Sequence, residues 1–317
     1  MRFRIFTEPQ EGATYDDQLA VARLAEELGF DAYFRSDHYI SFTFGDGLPG
    51  PTDAWITLAG LARDTTTLRL GTLVSPVTFR LPGPLAIAVA QIDAMSGGRV
   101  ELGLGAGWND REHAAYGIPF PPTGVRFDML EDQLTIIRGL WSTPVGEHFS
   151  YSGSQHSVDD SPGLPKPVQQ PGPPIVMGGF GAKRTPALAA RFADEFNMPP
   201  FEGLDATRAA FERVRAACNT IGRDPGTLDL SVTLTTVCGR DHDELERRGA
   251  VSPAQFEAAD LRGNPDELVE QLAHWADLGA TRAYLRILDL LDVAQIELLR
   301  DVVAAVASTS TRHPIIT

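Results

Sequence analysis

The sequence predicts an α/β fold, a single (β/α)8 TIM-type barrel with insertions. Short β-type runs alternate with amphipathic helical patterns along the whole chain, and this alternation is typical of a parallel sheet. Eight such strand–helix units spread over about 300 residues, which is the size of a closed barrel with insertions. The composition, 43% hydrophobic and 22% charged in 317 residues, is that of a folded protein, and it excludes disorder.

Each barrel strand is expected where a short apolar run precedes a helical pattern. We predict strands at residues 2–6, 32–35, 68–74, 100–104, 174–177, 195–197, 228–237 and 282–288. We predict helices at residues 16–28, 54–63, 85–95, 126–140, 183–191, 206–221, 265–278 and 296–306. The third strand is apolar at nearly every position, which fits a strand covered on both faces. In the first helix Val21, Leu24 and Leu28 share one face, and Gly29 ends the helix.

Three segments without a clear hydrophobic periodicity interrupt this alternation. They lie near residues 38–52, 142–173 and 240–264. The first and third follow strands, so we expect them on the carboxyl-terminal face, where barrel enzymes carry their active sites. The second follows a helix and therefore begins on the opposite face. Because the strand–helix alternation resumes after each segment, we predict one barrel domain over residues 1–317.

The charge balance argues against two classes of partner. Lys and Arg total 27 against 42 Asp and Glu, a net charge of −15, and a field of that sign repels nucleic acid and anionic membranes. The two cysteines, Cys218 and Cys238, form no CxxC motif and are expected to be reduced thiols. We find neither a signal peptide nor an apolar run of the roughly 18 residues that span a membrane, so a cytoplasmic protein is expected.

Polar side chains follow several predicted strands, and one histidine stands out. His38 comes after the second strand beside Asp37, and an imidazole is suited to proton transfer near neutral pH. Glu8, after the first strand, is a second acid–base candidate. A purely structural histidine is the alternative interpretation. Because the sequence has no HExxH motif and no cysteine cluster, we expect no metal.

Two glycine-rich runs also lie at strand ends. Gly178 and Gly179 join the fifth strand to a helix, where backbone N–H groups can hold a phosphate with Lys183 nearby. A tight strand–helix turn is the alternative. Residues 103–107 read GxGxG, one residue short of the dinucleotide-binding fingerprint. Small residues there would let a flat ring pack on the strand end.

Four segments together resemble the F420-dependent, deazaflavin-using branch of the bacterial luciferase-like monooxygenase family. They are residues 29–38 (Gly-Phe-Asp to Ser-Asp-His), 70–80 (Leu-Gly-Thr to Phe-Arg), 96–109 (Ser-Gly-Gly-Arg to Gly-Trp-Asn) and 165–179 (Pro-Lys-Pro to Met-Gly-Gly). The resemblance implies a barrel with the cofactor ring in its mouth and a non-proline cis peptide at Leu73–Val74. It also implies a homodimer.

The resemblance implies a set of site residues as well. The implied cofactor-binding residues are Leu73, Val74, Gly105, Ala106, Gly107, Asn109, Met177, Gly178 and Gly179. The expected walls of the substrate pocket are Tyr39, Phe42, Phe44 and Trp108. The anionic tail of F420 would need nearby cations, because charges beyond about 10 Å are screened, and the candidates are Arg80, Arg111, Lys183 and Arg184.

The expected function is an oxidoreductase that transfers a hydride between F420 and a small organic substrate. The protein would then supply orientation, a dry pocket and a proton relay, for which we expect His38, oriented by Asp37 or Glu8. The alternatives are an FMN-dependent monooxygenase of the same family, a non-catalytic deazaflavin- or flavin-binding protein, and an unrelated barrel lyase or isomerase with a phosphorylated substrate. Residues 240–264 look shorter than the corresponding insertion of the family. The sequence therefore does not decide whether this segment closes over the substrate.

Overall fold

Eight parallel strands close into a barrel, as the sequence predicts. The computed structural model describes residues 1–42 and 48–310. The described strands are β1 (Arg2–Thr7), β2 (Ala32–Arg35), β3 (Arg69–Thr72), β4 (Ser75–Pro76), β5 (Val100–Gly105), β6 (Phe149–Ser152), β7 (Ser157–Ser161), β8 (Ile175–Gly178), β9 (Glu195–Met198), β10 (Asp229–Cys238), β11 (Leu261–Gly263) and β12 (Arg282–Ile287). The barrel order is β1-β2-β3-β5-β8-β9-β10-β12, and β12 pairs with β1 to close it.

All eight predicted helices are present among the helices described. These are α1 (Tyr15–Glu27), α2 (Ala54–Asp64), α3 (Pro82–Ser96), α4 (Asp110–Ala115), α5 (Thr123–Ser142), α6 (Arg184–Phe192), α7 (Gly203–Thr220), α8 (His242–Gly249), α9 (Pro253–Glu257), α10 (Pro265–Asp277) and α11 (Val293–Ser310). Several begin one turn earlier than predicted. In α3 the reason is Pro82, which is tolerated in a first turn because its missing N–H would be unpaired there anyway.

The predicted third strand, residues 68–74, is divided in the structure. It consists of β3 and the two-residue β4, with the peptide bond between Leu73 and Val74 in the cis form between them. Both pieces pair with β5. The cis bond is therefore present at the position that the family resemblance implied.

An ionic network fills part of the barrel interior. Arg4 is fully buried and donates to Glu101 at 2.7 and 3.0 Å and to the Tyr284 hydroxyl at 2.7 Å. Burial alone would raise the pKa of Glu101, but Arg4 and Arg69 beside it lower that pKa. Buried charges persist when they are paired in this way, so the interior is a packed core and not a pore.

The two insertions that the structure describes in full carry secondary structure that the sequence did not reveal. Within residues 142–173, β6 and β7 form an antiparallel hairpin that packs on α5, where the Asp132 carboxylate accepts the Tyr151 hydroxyl at 2.8 Å. Residues 240–264 contain α8, α9 and β11, and β11 pairs with β10. Because this segment follows β10, it lies at the carboxyl-terminal face. Every helix within residues 1–42 and 48–310 is too short or too polar to cross a bilayer.

Candidate active site

His38 lies at the carboxyl end of β2 and is held by a carboxylate from another loop. Its Nδ1 lies 2.9 and 3.1 Å from the two carboxylate oxygens of Glu112, on α4. Glu112 is 1% exposed and also accepts the backbone N–H of Tyr39 at 3.0 Å. A carboxylate at this distance assigns the proton to Nδ1. In the neutral ring, Nε2 then carries the lone pair, and it has no hydrogen bond within the described residues.

Two aromatic rings pack against this histidine. The Phe42 ring lies edge-to-face on His38 with 4.5 Å between centroids, and the Trp108 ring lies at 5.7 Å. Trp108 remains 65% exposed, so the cluster borders open space at the barrel mouth. Tyr39 belongs to a neighbouring cluster, since its ring stacks on Phe79 at 4.6 Å. Phe44, the other expected wall residue, lies outside the described residues.

Asp37 does not orient His38, and that expectation is wrong. Its carboxylate is fully buried and accepts the Ser75 hydroxyl at 2.6 Å and Arg80 at 2.5 Å. The side chain therefore points toward β4 rather than toward the imidazole. Glu112 supplies the carboxylate that we expected from Asp37.

Arg80 joins Asp37 to a second carboxylate. Its guanidinium donates to Asp53 at 2.5 Å and to the Tyr39 hydroxyl at 3.3 Å. Burial by itself would raise the pKa of Asp53, but the Arg80 charge and hydrogen bonds outweigh burial and lower it. Two carboxylates thus neutralise Arg80. Arg184 is likewise paired, with Asp128 at 2.7 Å, so neither arginine is a free cation for an anionic ligand.

Glu8 is also held away from His38. Its carboxylate forms an ion pair with Arg286, which approaches it through Nε at 2.6 Å. Arg286 donates a further hydrogen bond to the Thr235 hydroxyl at 3.1 Å. Glu8 therefore belongs to the part of the mouth between β1 and β12, and the expectation that it orients the histidine is wrong.

The ends of β3, β4 and β5 meet below the mouth of the barrel. Gly105 is required there, because a Cβ on it would lie 2.8 Å from the Val74 side chain. Gly107 has a φ of +76°, which is accessible mainly to glycine. Small residues therefore let the β5 end and the Leu73–Val74 peptide pack closely. Val74 and Gly105 are in contact, and cofactor binding by Leu73, Val74, Gly105, Ala106 and Gly107 stays a prediction.

Asn109 begins α4 and carries an unpaired group. Its Oδ1 accepts the backbone N–H of Arg111 at 3.2 Å, which is the usual role of asparagine at a helix start. Its Nδ2 is buried and has no hydrogen-bond partner in the described part of the chain, and the residue is 5% exposed. A buried amide N–H without an acceptor costs free energy of folding unless a ligand accepts its hydrogen bond.

The Gly178–Gly179 turn lies between β8 and α6. Gly179 has a φ of +127°, and an added Cβ there would lie in ordinary contact with Thr185 at 3.8 Å, so the backbone conformation and not a clash requires glycine. The Gly179 N–H donates to the Asn197 carbonyl at 3.2 Å, so it is not free for a phosphate.

The first turn of α6 has no side-chain cap, and because Pro186 has no N–H, the groups available to an anion there are the N–H groups of Arg184 and Thr185. Met177 is 1% exposed and packs in the core, so only its backbone can face a ligand.

Sequence reasoning missed two carboxylates that shape this site. Glu112 pairs with His38, and Glu11 accepts the Ser41 hydroxyl at 2.7 Å and the Phe42 backbone N–H at 2.9 Å. One signal was available for Glu112. Asn109 followed three residues later by a glutamate is the pattern of a helix start, and it would have revealed α4. No cluster of possible metal ligands occurs within residues 1–42 and 48–310.

The chain matches one protein family along most of its length. The family described as luciferase-like monooxygenase matches residues 1–256. The F420-dependent hydroxymycolic acid dehydrogenase of Mycobacterium tuberculosis is 32% identical over 294 residues, covering 85% of this chain and 76% of that protein. The F420-dependent glucose-6-phosphate dehydrogenase of Microbacterium testaceum is 29% identical over 286 residues, covering 81% of this chain and 82% of that protein.

Solved structures share the fold. An F420-dependent secondary alcohol dehydrogenase in complex with an F420–acetone adduct superposes with a TM-score of 0.83, covering 96% of this chain and 98% of that chain at 18% identity. A monooxygenase from Streptomyces bottropensis superposes with a TM-score of 0.80, covering 96% and 99% at 21% identity. At these identities the likeness concerns the barrel alone.

Proposed function

This chain belongs to the luciferase-like monooxygenase family, and on that premise we propose that it is an oxidoreductase that transfers a hydride between coenzyme F420 and a small organic substrate. The observation that carries the proposal is the His38–Glu112 pair at the carboxyl end of β2, which occupies Nδ1 and leaves Nε2 without a partner among the described residues. Relatives named as F420-dependent dehydrogenases, which span more than four-fifths of this chain, support the choice of cofactor.

The residues at the mouth fit a flat ring with a phosphate. Asn109 has a buried amide Nδ2 that lacks a partner among the described residues. An oxygen of the cofactor would accept its hydrogen bond. The N–H groups of Arg184 and Thr185 at the uncapped start of α6, which follows the Gly178–Gly179 turn, would hold the phosphate. The proposed cofactor-binding residues are Leu73, Val74, Gly105, Ala106, Gly107, Asn109, Met177, Gly178 and Gly179.

When bound, F420 supplies or accepts the hydride, and the protein must move the accompanying proton. His38 Nε2 is the atom placed to do so, because Nδ1 is occupied by Glu112. In alcohol oxidation Nε2 takes the hydroxyl proton, and in ketone reduction it returns a proton to the oxygen. Glu112 fixes the ring and stabilises the imidazolium that forms. We assign Glu112 a positioning role.

The aromatic residues around His38 would exclude water. Phe42 and Trp108 contact the imidazole and cover two of its sides with apolar surface. A dry pocket favours hydride transfer because it strengthens electrostatic interactions and keeps competing protons away. Asp37 and Tyr39 support this loop through Arg80 rather than contacting the reacting atoms.

Titration of the apoprotein with F420 and, separately, with FMN tests the cofactor. We expect micromolar binding of F420 and no binding of FMN. Tight FMN binding together with substrate-dependent oxygen consumption would instead assign the FMN-dependent monooxygenase activity. Binding of F420 with no turnover of any alcohol or ketone would assign a non-catalytic carrier.

The assembly and location are proposed with this function. We propose a cytoplasmic homodimer, on the basis of the family resemblance and of two buried, reduced cysteines, Cys218 and Cys238. Light scattering on the purified protein measures the assembly directly, and a monomer at micromolar concentration would overturn the proposed dimer.

A further inference from the structure

The short helix α4 is tied to two different loops by two adjacent side chains. It has six residues, Asp110–Ala115, and a helix of this length is marginal by itself. Glu112 bonds to His38 in the loop after β2, and His113 bonds to Thr78 in the segment after β4. Both α4 residues are 1% exposed. The direction in which Glu112 presents its carboxylate therefore depends on the contacts that hold α4 in place.

Both nitrogens of the His113 ring have a hydrogen-bond partner. Nδ1 lies 2.6 Å from the Asn109 carbonyl oxygen, and Nε2 lies 2.6 Å from the Thr78 Oγ1. Because a carbonyl only accepts, the ring proton is on Nδ1. In the neutral ring, Nε2 then accepts the Thr78 hydroxyl. The imidazole thus joins the residue that begins α4 to the segment that follows β4.

Aromatic rings link His113 to the loop after β2 by a second route. The Phe120 ring lies 4.3 Å and the Phe79 ring 5.2 Å from the imidazole, measured between centroids. Phe79 in turn stacks on Tyr39 at 4.6 Å. The Tyr39 backbone N–H donates to Glu112. The contacts around α4 therefore form a closed circuit that runs through the loop after β2.

The same cluster reaches the strand ends proposed to hold the cofactor ring. A Cβ on Gly107 would lie 3.7 Å from the Thr78 Oγ1 and 3.9 Å from the Phe120 ring. The Arg126 guanidinium lies over the Phe120 ring, 3.8 Å from its centroid, and donates to the Ala106 carbonyl at 3.0 Å. The anchor of α4 is therefore built on the same residues that the cofactor is proposed to contact.

We propose that His113 is a positioning residue of the acid–base site. Through its bond to Thr78 it fixes α4, so that the Glu112 carboxylate stays within hydrogen-bond distance of His38 Nδ1. It acts through Glu112 and not on the reacting atoms. The proposal rests on the proposed function, in which the His38–Glu112 pair moves the proton. Without the Thr78 hydroxyl, Nε2 of His113 would be buried without a donor, and this cost would weaken the docking of α4.

The proton between His38 Nδ1 and Glu112 reports this pairing without any substrate. A histidine N–H that is held by a carboxylate and shielded from water resonates downfield of the backbone amides in proton NMR. Isotope labelling of the histidine nitrogens selects the imidazole protons, and the signal missing from His38→Ala identifies the proton. Its rate of exchange with water is measured by saturation transfer in the apoprotein and in the F420-loaded protein.

Three variants change the anchor, and one is a control. Thr78→Val removes the hydroxyl with little change of shape, and Thr78→Ser keeps it. His113→Asn keeps an N–H donor toward the Asn109 carbonyl but is too short to reach Thr78. Thr207→Val is the matched control, because it removes another buried hydroxyl, which donates to the Gly203 carbonyl at 2.8 Å in α7. Chemical denaturation gives the free energy of unfolding of each variant, and a titration gives its F420 affinity.

We expect the His38 N–H to exchange with water about fivefold faster or more in Thr78→Val and in His113→Asn, because a buried polar group loses its partner. In Thr78→Ser the rate should change less than about twofold, since the hydroxyl is kept. Thr207→Val should lose stability and yet keep the parent rate, which separates positioning from general destabilisation. The F420 affinity should stay at the parent value in every variant, because no proposed cofactor contact is removed.

An exchange rate in Thr78→Val equal to that of the parent would overturn the positioning role, even if His113→Asn failed to fold. Equal acceleration in Thr207→Val would also overturn it, because the effect would then be one of stability alone. A parent protein without the His38 resonance would reject the His38–Glu112 pair as well as the role of His113. Failure to bind F420, with the expected exchange rates observed, would reject the proposed function alone.

Discussion

Glu112 accepts a hydrogen bond from Nδ1 of His38 at 2.9 Å, although 74 residues separate them in the sequence. The same carboxylate accepts the backbone N–H of Tyr39, so it fixes both the ring and the loop that carries it. The pairing occupies Nδ1 and leaves Nε2 without a partner among the described residues.

Replacing Glu112 by glutamine should slow turnover without weakening cofactor binding. The amide keeps the shape of the carboxylate but removes the charge that stabilises the imidazolium, and its NH2 group opposes the Tyr39 N–H. Since general acid–base catalysis contributes about 10²- to 10⁴-fold, we expect kcat to fall about tenfold or more and its pH profile to shift. Glu147→Gln, at an exposed position, is the control. An unchanged pH profile would contradict the positioning role.

Replacing His38 by alanine should remove the proton relay itself. We expect turnover to fall by about 10²- to 10⁴-fold, while the affinity for F420 changes by less than about twofold because no proposed cofactor contact is lost. His148→Ala, on the exposed hairpin segment, controls for the loss of a histidine. Steady-state kinetics and a cofactor titration measure both quantities. Full turnover in His38→Ala would make the histidine structural.

The strand–helix units could be predicted from the sequence because each depends on neighbouring residues. The apolar face of α1 and the cap at Gly29 are local patterns, so they are visible without the fold. The position of His38 at the end of β2 follows from the same patterns. Its placement at the mouth then follows from barrel closure, since all parallel strands end on one face.

The partners of the site residues could not be predicted, because they depend on tertiary contacts between loops. Asp37 adjoins His38 in sequence, yet its carboxylate bonds to Ser75 and Arg80. Glu8 pairs with Arg286, 278 residues away. Glu112 lies on the six-residue helix α4, which is too short for hydrophobic periodicity to reveal. Strand ends thus indicate which residues reach the mouth, but not which pairs form there.

Replacing Gly179 by valine should abolish cofactor binding. Its φ of +127° is strained for any β-branched residue, and a side chain there would lie against Thr185, beside the α6 N–H groups proposed to hold the phosphate. Gly146→Val is a matched control, because Gly146 also has a positive φ, +94°, on an exposed loop. Both variants should lose similar stability, and only Gly179→Val should lose F420 in a titration. Retained affinity would place the phosphate elsewhere.

Replacing Arg80 by methionine should destabilise the protein. The change leaves Asp37 buried without its charged partner and also frees Asp53. Removing one member of a buried ion pair typically costs about 3–5 kcal/mol. Chemical denaturation measures the free energy of unfolding, with Arg208→Met, at an exposed position, as the control. A loss below about 1 kcal/mol would mean that Asp37 is not held mainly by Arg80.

Glu26 should make the stability of the protein depend on acid pH. Its carboxylate accepts the backbone N–H groups of Thr66, Thr67 and Leu68 at the start of the β3 segment. Burial alone would raise the pKa of Glu26, but these hydrogen bonds outweigh burial and lower it from 4.5 to about 2. The folded protein therefore binds this proton less readily than the unfolded chain does.

The stabilisation from Glu26 is fully present above the unfolded pKa of 4.5 and is lost as the pH falls toward 2. Glu26→Gln should consequently have a lower Tm than the parent protein at pH 7, because the neutral amide oxygen accepts the N–H groups of Thr66, Thr67 and Leu68 more weakly than the charged carboxylate oxygen does. As the pH falls from 4.5 to 2, the parent Tm should approach that of the variant. Glu27→Gln, at the exposed neighbouring position, should follow the parent throughout. A Tm difference between the parent and Glu26→Gln that stays constant across this range would show that the hydrogen bonds to Thr66, Thr67 and Leu68 do not lower the pKa of Glu26.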